Sequence, residues 1–136
     1  MQRGWLAAIG LASAVLASCA SAPEEGAEPL VYGCDDVVVV GRIDTDLDSY
    51  RSVEAPGDLI GHGDFDAMID IKRVLYGDMP ERSVGVVYNA HSSIRDDETF
   101  VFVLSASGDG YAIRSAAILR YLPRRPIEPA CRPDAE

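Results

Sequence analysis

Three aspartates alternate in Asp44-Thr45-Asp46-Leu47-Asp48. Alternating carboxylates are one way for a loop to offer oxygens to a hard cation such as calcium. A complete loop of the EF-hand kind also needs a turn glycine and a closing bidentate glutamate. Ser49 and Ala55 hold those positions, Arg51 stands where an apolar residue belongs, and Glu54 comes one residue early. The run reads as a solvated acidic loop, with Asp44, Asp46 and Asp48 as candidates for a weaker, differently built cation site. His62 and His91 are the other metal-capable side chains, and barrel loops could bring them together. A zinc centre needs several convergent ligands, and two well-separated histidines make no recognisable spacing.

Nucleophilic catalysis asks for a nucleophile, a base and an orienting group, best displayed on a strained turn. No G-x-S-x-G occurs. His91-Ser92-Ser93 is only adjacency within a loop, and Asp96-Asp97-Glu98 reads as a charged loop. No glycine-rich phosphate cradle follows a strand and opens a helix. The residues imply no catalytic set, no resident metal and no cofactor.

The remaining chemistry is in cysteine. Arg3 precedes an apolar run over 6–16, and the small residues Ala17 and Ser18 lead to Cys19. A charged start, a short apolar core and a small-residue cleavage region describe a secretory signal. The run is too short to span a bilayer, which takes about 20 residues. Leu16-Ala17-Ser18-Cys19 resembles the lipobox of bacterial lipoproteins at all four positions. That resemblance implies diacylglycerol on the Cys19 thiol, cleavage before Cys19, and acylation of the new N-terminus. Several acyl chains on one residue make a membrane anchor effectively stable, where one chain would bind only marginally. Ala20 stands where an aspartate would favour inner-membrane retention. The expected location is therefore the bacterial cell envelope, on the outer membrane and facing the periplasm.

Loss of residues 1–18 leaves 118 of the 136 residues, a length typical of one compact domain. It removes one arginine and no acid, so 11 basic side chains remain against 22 acidic ones. Such an acidic chain suits neither nucleic acid nor an anionic lipid surface, since both require positive charge in the partner. With Cys19 taken by lipid, Cys34 and Cys131 are the one pair left, and an oxidising envelope favours their bonding. The loop they would close is nearly the whole domain, worth at most about 4–5 kcal/mol by chain entropy. Two free thiols or a metal pair are the alternatives, the latter without any C-x-x-C spacing.

The elements follow from hydrophobic period. Residues 19–33 are small, acidic and proline-containing, and read as a flexible tether. Over 36–44, four consecutive valines predict a strand buried on both faces, with Gly41 marking a bulge or bend. A long polar connection is predicted over 45–63. Strand alternation resumes over 65–75, with Ala67, Ile69 and Ile71 on one side, and slips by one before Val74, as a bulge would cause. A turn at 76–80, strands over 83–88 and 99–104, a hairpin at Gly108-Asp109-Gly110 and a strand over 111–115 complete the set. Residues 116–121 are ambiguous between strand and helical turn. The proline-rich 123–136 reads as an extended tail pinned back by Cys131.

Five strands with bends in the first two predict an all-β fold, a small OB-like Greek-key barrel over 34–122, with a sandwich as the alternative. The pattern resembles the OB barrel of the netrin-like group, which includes the tissue inhibitors of metalloproteinases. The shared features are Cys34 followed by Asp36-Val37-Val38-Val39-Val40-Gly41-Arg42-Ile43, and Ile71-Lys72-Arg73-Val74-Leu75-Tyr76-Gly77-Asp78. Tyr76 stands where bacterial members usually carry lysine. The protease-inhibiting role of that group depends on the free amine of an N-terminal cysteine, which Cys34 lacks. The expectation is a lipid-anchored, non-catalytic envelope binding or accessory module for a protein, peptide or glycan. A metal-dependent envelope protein or enzyme using Asp44–Asp48 or the two histidines is the alternative, and a netrin-like protease inhibitor a further one.

Overall fold

Val37-Val38-Val39-Val40 divides its side chains between two separate cores. A computed structural model describes residues 28–124 and 126–130. Val37 and Val39 point inward with Ile43, Phe65, Ile69, Val86, Phe102 and Leu104. Val38 and Val40 point outward and are equally buried, against Leu30, Val101, Val103 and Ala117. Burial on both faces is what the unbroken apolar run predicts, and it places this strand at the centre of the fold.

The strands are β1 (Leu30–Tyr32), β2 (Val37–Val53), β3 (His62–Tyr76), β4 (Ser83–Ala90), β5 (Phe100–Ser107), β6 (Gly110–Ile118) and β7 (Ile127–Pro129), with a 3-10 helix over Leu119–Arg124. Five of them close into a barrel in the order β2-β3-β4-β6-β5. All ladders in the ring are antiparallel except the short parallel pairing of β4 with β6, through Val86↔Tyr111 and Val87↔Ala112. This is the connectivity of an OB-type Greek-key barrel, and the chain is all-β as its sequence pattern predicts.

The bends fall where the apolar phase slips. Val40 pairs with Arg73 but Gly41 pairs with Ile71, leaving Lys72 as an extra residue on β3. A second shift, between Val38 and Val39, leaves Leu75 extra. Gly41 is required at the first bend, because a Cβ there would collide with the Asp70 carbonyl oxygen and lie 2.9 Å from Ile69 Cγ2. Gly41→Ala is expected to destabilise the domain by about 2 kcal/mol through overpacking. The check is a lower denaturation midpoint at an unchanged m value.

Three expectations need correction. The polar stretch over 45–63 is mostly strand: β2 runs on to Val53, β3 starts at His62, and the connection is only 54–61. Although Tyr50 packs on Phe65 at 5.0 Å, most of the β2 part of this ribbon is exposed and carries no apolar alternation to read. Main-chain pairing holds it, with a fork from Arg51 to both Asp66 oxygens, each at 2.9 Å. The tether does not extend to residue 33, because Leu30 is fully buried and β1 pairs in parallel with β7. Residues 126–130 are accordingly part of the fold, and 131–136 lie outside the described residues. Together with the 3-10 helix, β1 and β7 cover the outward valines of β2 and β5.

Candidate functional site

Beyond Gly41, β2, β3 and β4 turn alternate residues outward onto one face of the barrel, and the β5–β6 hairpin rises beside it. Between them lies a cleft of about 590 Å3 lined by Asp44, Asp46, Asp66, Met68, Val87, Asp109 and Tyr111, among others. Its size is in the range of ligand pockets, about 300–1,000 Å3. Strand parity positions the lining. Ile43, Ala67, Ile69, Val84 and Val86 point into the barrel, so the residues between them must face out. Met68 and Val87 are 48 % and 37 % exposed, which leaves an apolar floor uncovered between acidic walls.

The hairpin is held close by a glycine contact. A Cβ at Gly110 would sit 2.9 Å from the Gly85 carbonyl oxygen, so the close approach at the parallel β4–β6 junction depends on Gly110. Thr45 reaches the opposite way, sharing a hydrogen bond of 2.9 Å with the Tyr88 hydroxyl, which also accepts the Ile94 N–H at 3.0 Å. That network fixes the strand carrying Asp44 and Asp46. Asp66 has its carboxyl held below its ordinary value, chiefly by the hydrogen bonds from Arg51, against an opposing cost of desolvation. Asp44 and Asp109 have no salt bridge among the described residues. Among the same residues Asp46 likewise has no salt bridge and its carboxylate accepts only the Asp48 N–H, so the cleft can offer three carboxylates without a paired cation beside an apolar floor.

The structure separates the aspartates of the acidic run. Asp44 and Asp46 line the cleft, whereas Asp48 lies in the bulged segment between Asp46 and Arg51 and gives its backbone N–H to Asp46 Oδ1 at 3.0 Å. Among the described residues, no three or more His, Cys, Asp or Glu side chains are grouped to hold a metal ion. The histidines, in contrast, do meet. Their ring centroids are 5.8 Å apart and nearly perpendicular, and His62 Nδ1 lies 2.6 Å from Asp58 Oδ2. Asp58 went unread in the sequence, although an aspartate four residues before a histidine in a Gly-flanked turn is the available signal.

Of the four aromatics Phe65, Tyr76, Tyr88 and Tyr111 on β3, β4 and β6, Phe65 and Tyr88 are inside the barrel, stacked at 5.2 Å, and Tyr76 packs on Tyr32 at 4.3 Å. Only Tyr111 of that group reaches the cleft. Cys19, Leu16, Ala17, Ser18 and Cys131 lie outside the described residues. Cys34, in the turn after β1, is not free.

No family model, no curated protein and no solved structure matches the chain.

Proposed function

We propose that this chain is a lipid-anchored, non-catalytic envelope module whose β2-β3-β4 cleft receives a segment of an envelope protein or peptide. The cleft carries the reading. Asp44 and Asp109, without paired cations, flank exposed Met68 and Val87 and the half-buried Tyr111. Carboxylates beside a shallow apolar floor complement an extended segment in which basic and apolar residues alternate. The lipobox-like Leu16-Ala17-Ser18-Cys19 supplies the anchor, by which lipid on Cys19 attaches the protein to the outer membrane, facing the periplasm. Membership of the netrin-like group belongs to the same proposal, supported by the OB-type strand order.

A bond between Cys34 and Cys131 completes the reading. The Ala130 N–H donates to the Tyr32 carbonyl at 2.7 Å, which brings the chain just before Cys131 alongside the chain just before Cys34. Such a bond would pin β7 onto β1 and hold the cover over the outer core.

The test is capture from crosslinked native envelope with the full chain, beside Cys19→Ala and the double variant Asp44→Lys/Asp109→Lys. One dominant partner is expected, lost with Cys19→Ala and reduced about tenfold or more by the charge reversal. A tenfold loss corresponds to about 1.4 kcal/mol, modest for like-charge juxtaposition at an interface. Equal capture by the cleft variant would overturn the cleft as the site. Capture undiminished in Cys19→Ala would overturn the dependence on anchoring.

A further inference from the structure

The chain has two histidines in all, and the fold sets them opposite one another. On the β3–β4 ladder, Gly63 pairs with Ala90 and Asp64 with Asn89. One step further along the same antiparallel register brings His62 to His91. Directly opposed residues on one sheet face have Cβ atoms about 4.5–5.5 Å apart, which is within reach of a shared ligand.

We propose that His62 and His91 form a two-imidazole site for one divalent transition-metal ion of the copper or zinc class, with Asp58 orienting His62. The ring separation fits. Two imidazoles on one tetrahedral ion, each at a metal–nitrogen bond of about 2.0–2.1 Å, have centroids roughly 5 Å apart. The observed 5.8 Å is within about 1 Å of that separation.

Asp58 settles which nitrogen of His62 is available. Its Oδ1 accepts the backbone N–H groups of Ile60 at 3.1 Å and Gly61 at 3.0 Å, so the turn holds the carboxylate in place. Its Oδ2 faces His62 Nδ1 at 2.6 Å. An ionised carboxylate can only accept, so Nδ1 carries a proton, and in the neutral ring the lone pair is then on Nε2. Histidines that bind metals commonly donate their second ring nitrogen to a carboxylate in this way, which fixes the ring and raises its basicity. The Asp58 side chain is 14 % exposed and that of His62 41 %, so the orienting group is sheltered and the ligand open.

The class of metal follows from the donors. Neutral imidazole suits copper, zinc and nickel, whereas calcium and magnesium require oxygen ligands. Two protein ligands leave coordination positions for water or for a donor from another molecule. The ion held here is therefore exchangeable, unlike one in a closed structural centre.

The experiment uses the full, tag-free chain carrying Cys19→Ala, so that no Cys19 thiol competes, with Cu2+ as the probe. Pulsed electron paramagnetic resonance counts the imidazoles on copper, and every imidazole signal must come from His62 or His91. One Cu2+ per chain bearing two imidazoles is the expected result. His62→Gln and His91→Gln should each leave one imidazole and weaken binding at least tenfold. Asp58→Asn should keep both imidazoles and weaken binding about tenfold or more. One or no imidazole in the parent chain would overturn the site. So would one Cu2+ per two chains, or an affinity unchanged in His91→Gln. Neither histidine lies in the cleft, so failure here leaves the cleft reading intact, and failure there leaves this one.

Discussion

Phe102→Ala is expected to cost about 3–5 kcal/mol of stability, enough to unfold a marginal domain near physiological temperature. Phe102 has no solvent exposure and lies in β5 between two ladders, paired with Val39 on one side and Ala116 on the other. Its ring stacks on Phe100 at 5.5 Å, one inward position away along the same strand. Both flanking ladders are therefore anchored across one side chain. The barrel is closed, so its walls cannot collapse inward to fill the space left by the ring. Cavity and transfer costs should both be felt, whereas an open sheet could relax. Chemical denaturation would show the midpoint fall. A loss under 2 kcal/mol would mean that the barrel interior repacks.

Asp36→Ala is expected to cost about 3 kcal/mol and also to change how stability depends on pH. Asp36 is the one buried charged residue among those described, and its carboxylate ties three parts of the chain together. It accepts the Gly33 N–H at 2.6 Å, the Ser105 hydroxyl at 2.5 Å and the Arg114 guanidinium at 2.7 Å. Removing one partner of a buried pair leaves the other groups uncompensated, typically at 3–5 kcal/mol. The Arg114 side chain is 54 % exposed and can return to water, so the lower end applies.

Burial opposes ionisation of Asp36, but hydrogen bonds from Ser105 and Gly33, with the charge of Arg114, outweigh it. They hold the carboxyl below its ordinary value of 3.8. A folded-state value below the unfolded one means that the unfolded chain takes up the proton first. This contribution to stability is therefore complete above the unfolded value and is lost as pH falls through the folded one. The wild-type advantage over Asp36→Ala should be full at neutral pH and shrink below about pH 3.8. Denaturation midpoints of both proteins from pH 7 down to pH 3 would show it. An advantage that stayed constant across that range would mean that Asp36 acts by packing alone.

Local pattern determined much of this protein. The four valines of β2 announced a strand buried on both sides, the slip between Ile71 and Val74 announced a bulge, and Gly108-Asp109-Gly110 announced the hairpin that walls the cleft. Each is a matter of period or of turn chemistry, readable within a few residues. Closure of the barrel decided what period could not. The ribbon over 45–53 has no apolar face, and its strand conformation comes from pairing with β3. Leu30 reads locally as part of a tether because what buries it, the outer faces of β2 and β5 with Ile127, lies far away along the chain. Tertiary structure also divided Asp44 and Asp46 from Asp48, and brought Asp109 and Tyr111 across to the first two. It set His62 against His91 through a ladder whose register no spacing in the chain encodes. Local sequence fixes which way a side chain points, but which side chains meet depends on register and ring closure, and those are settled by the whole barrel at once.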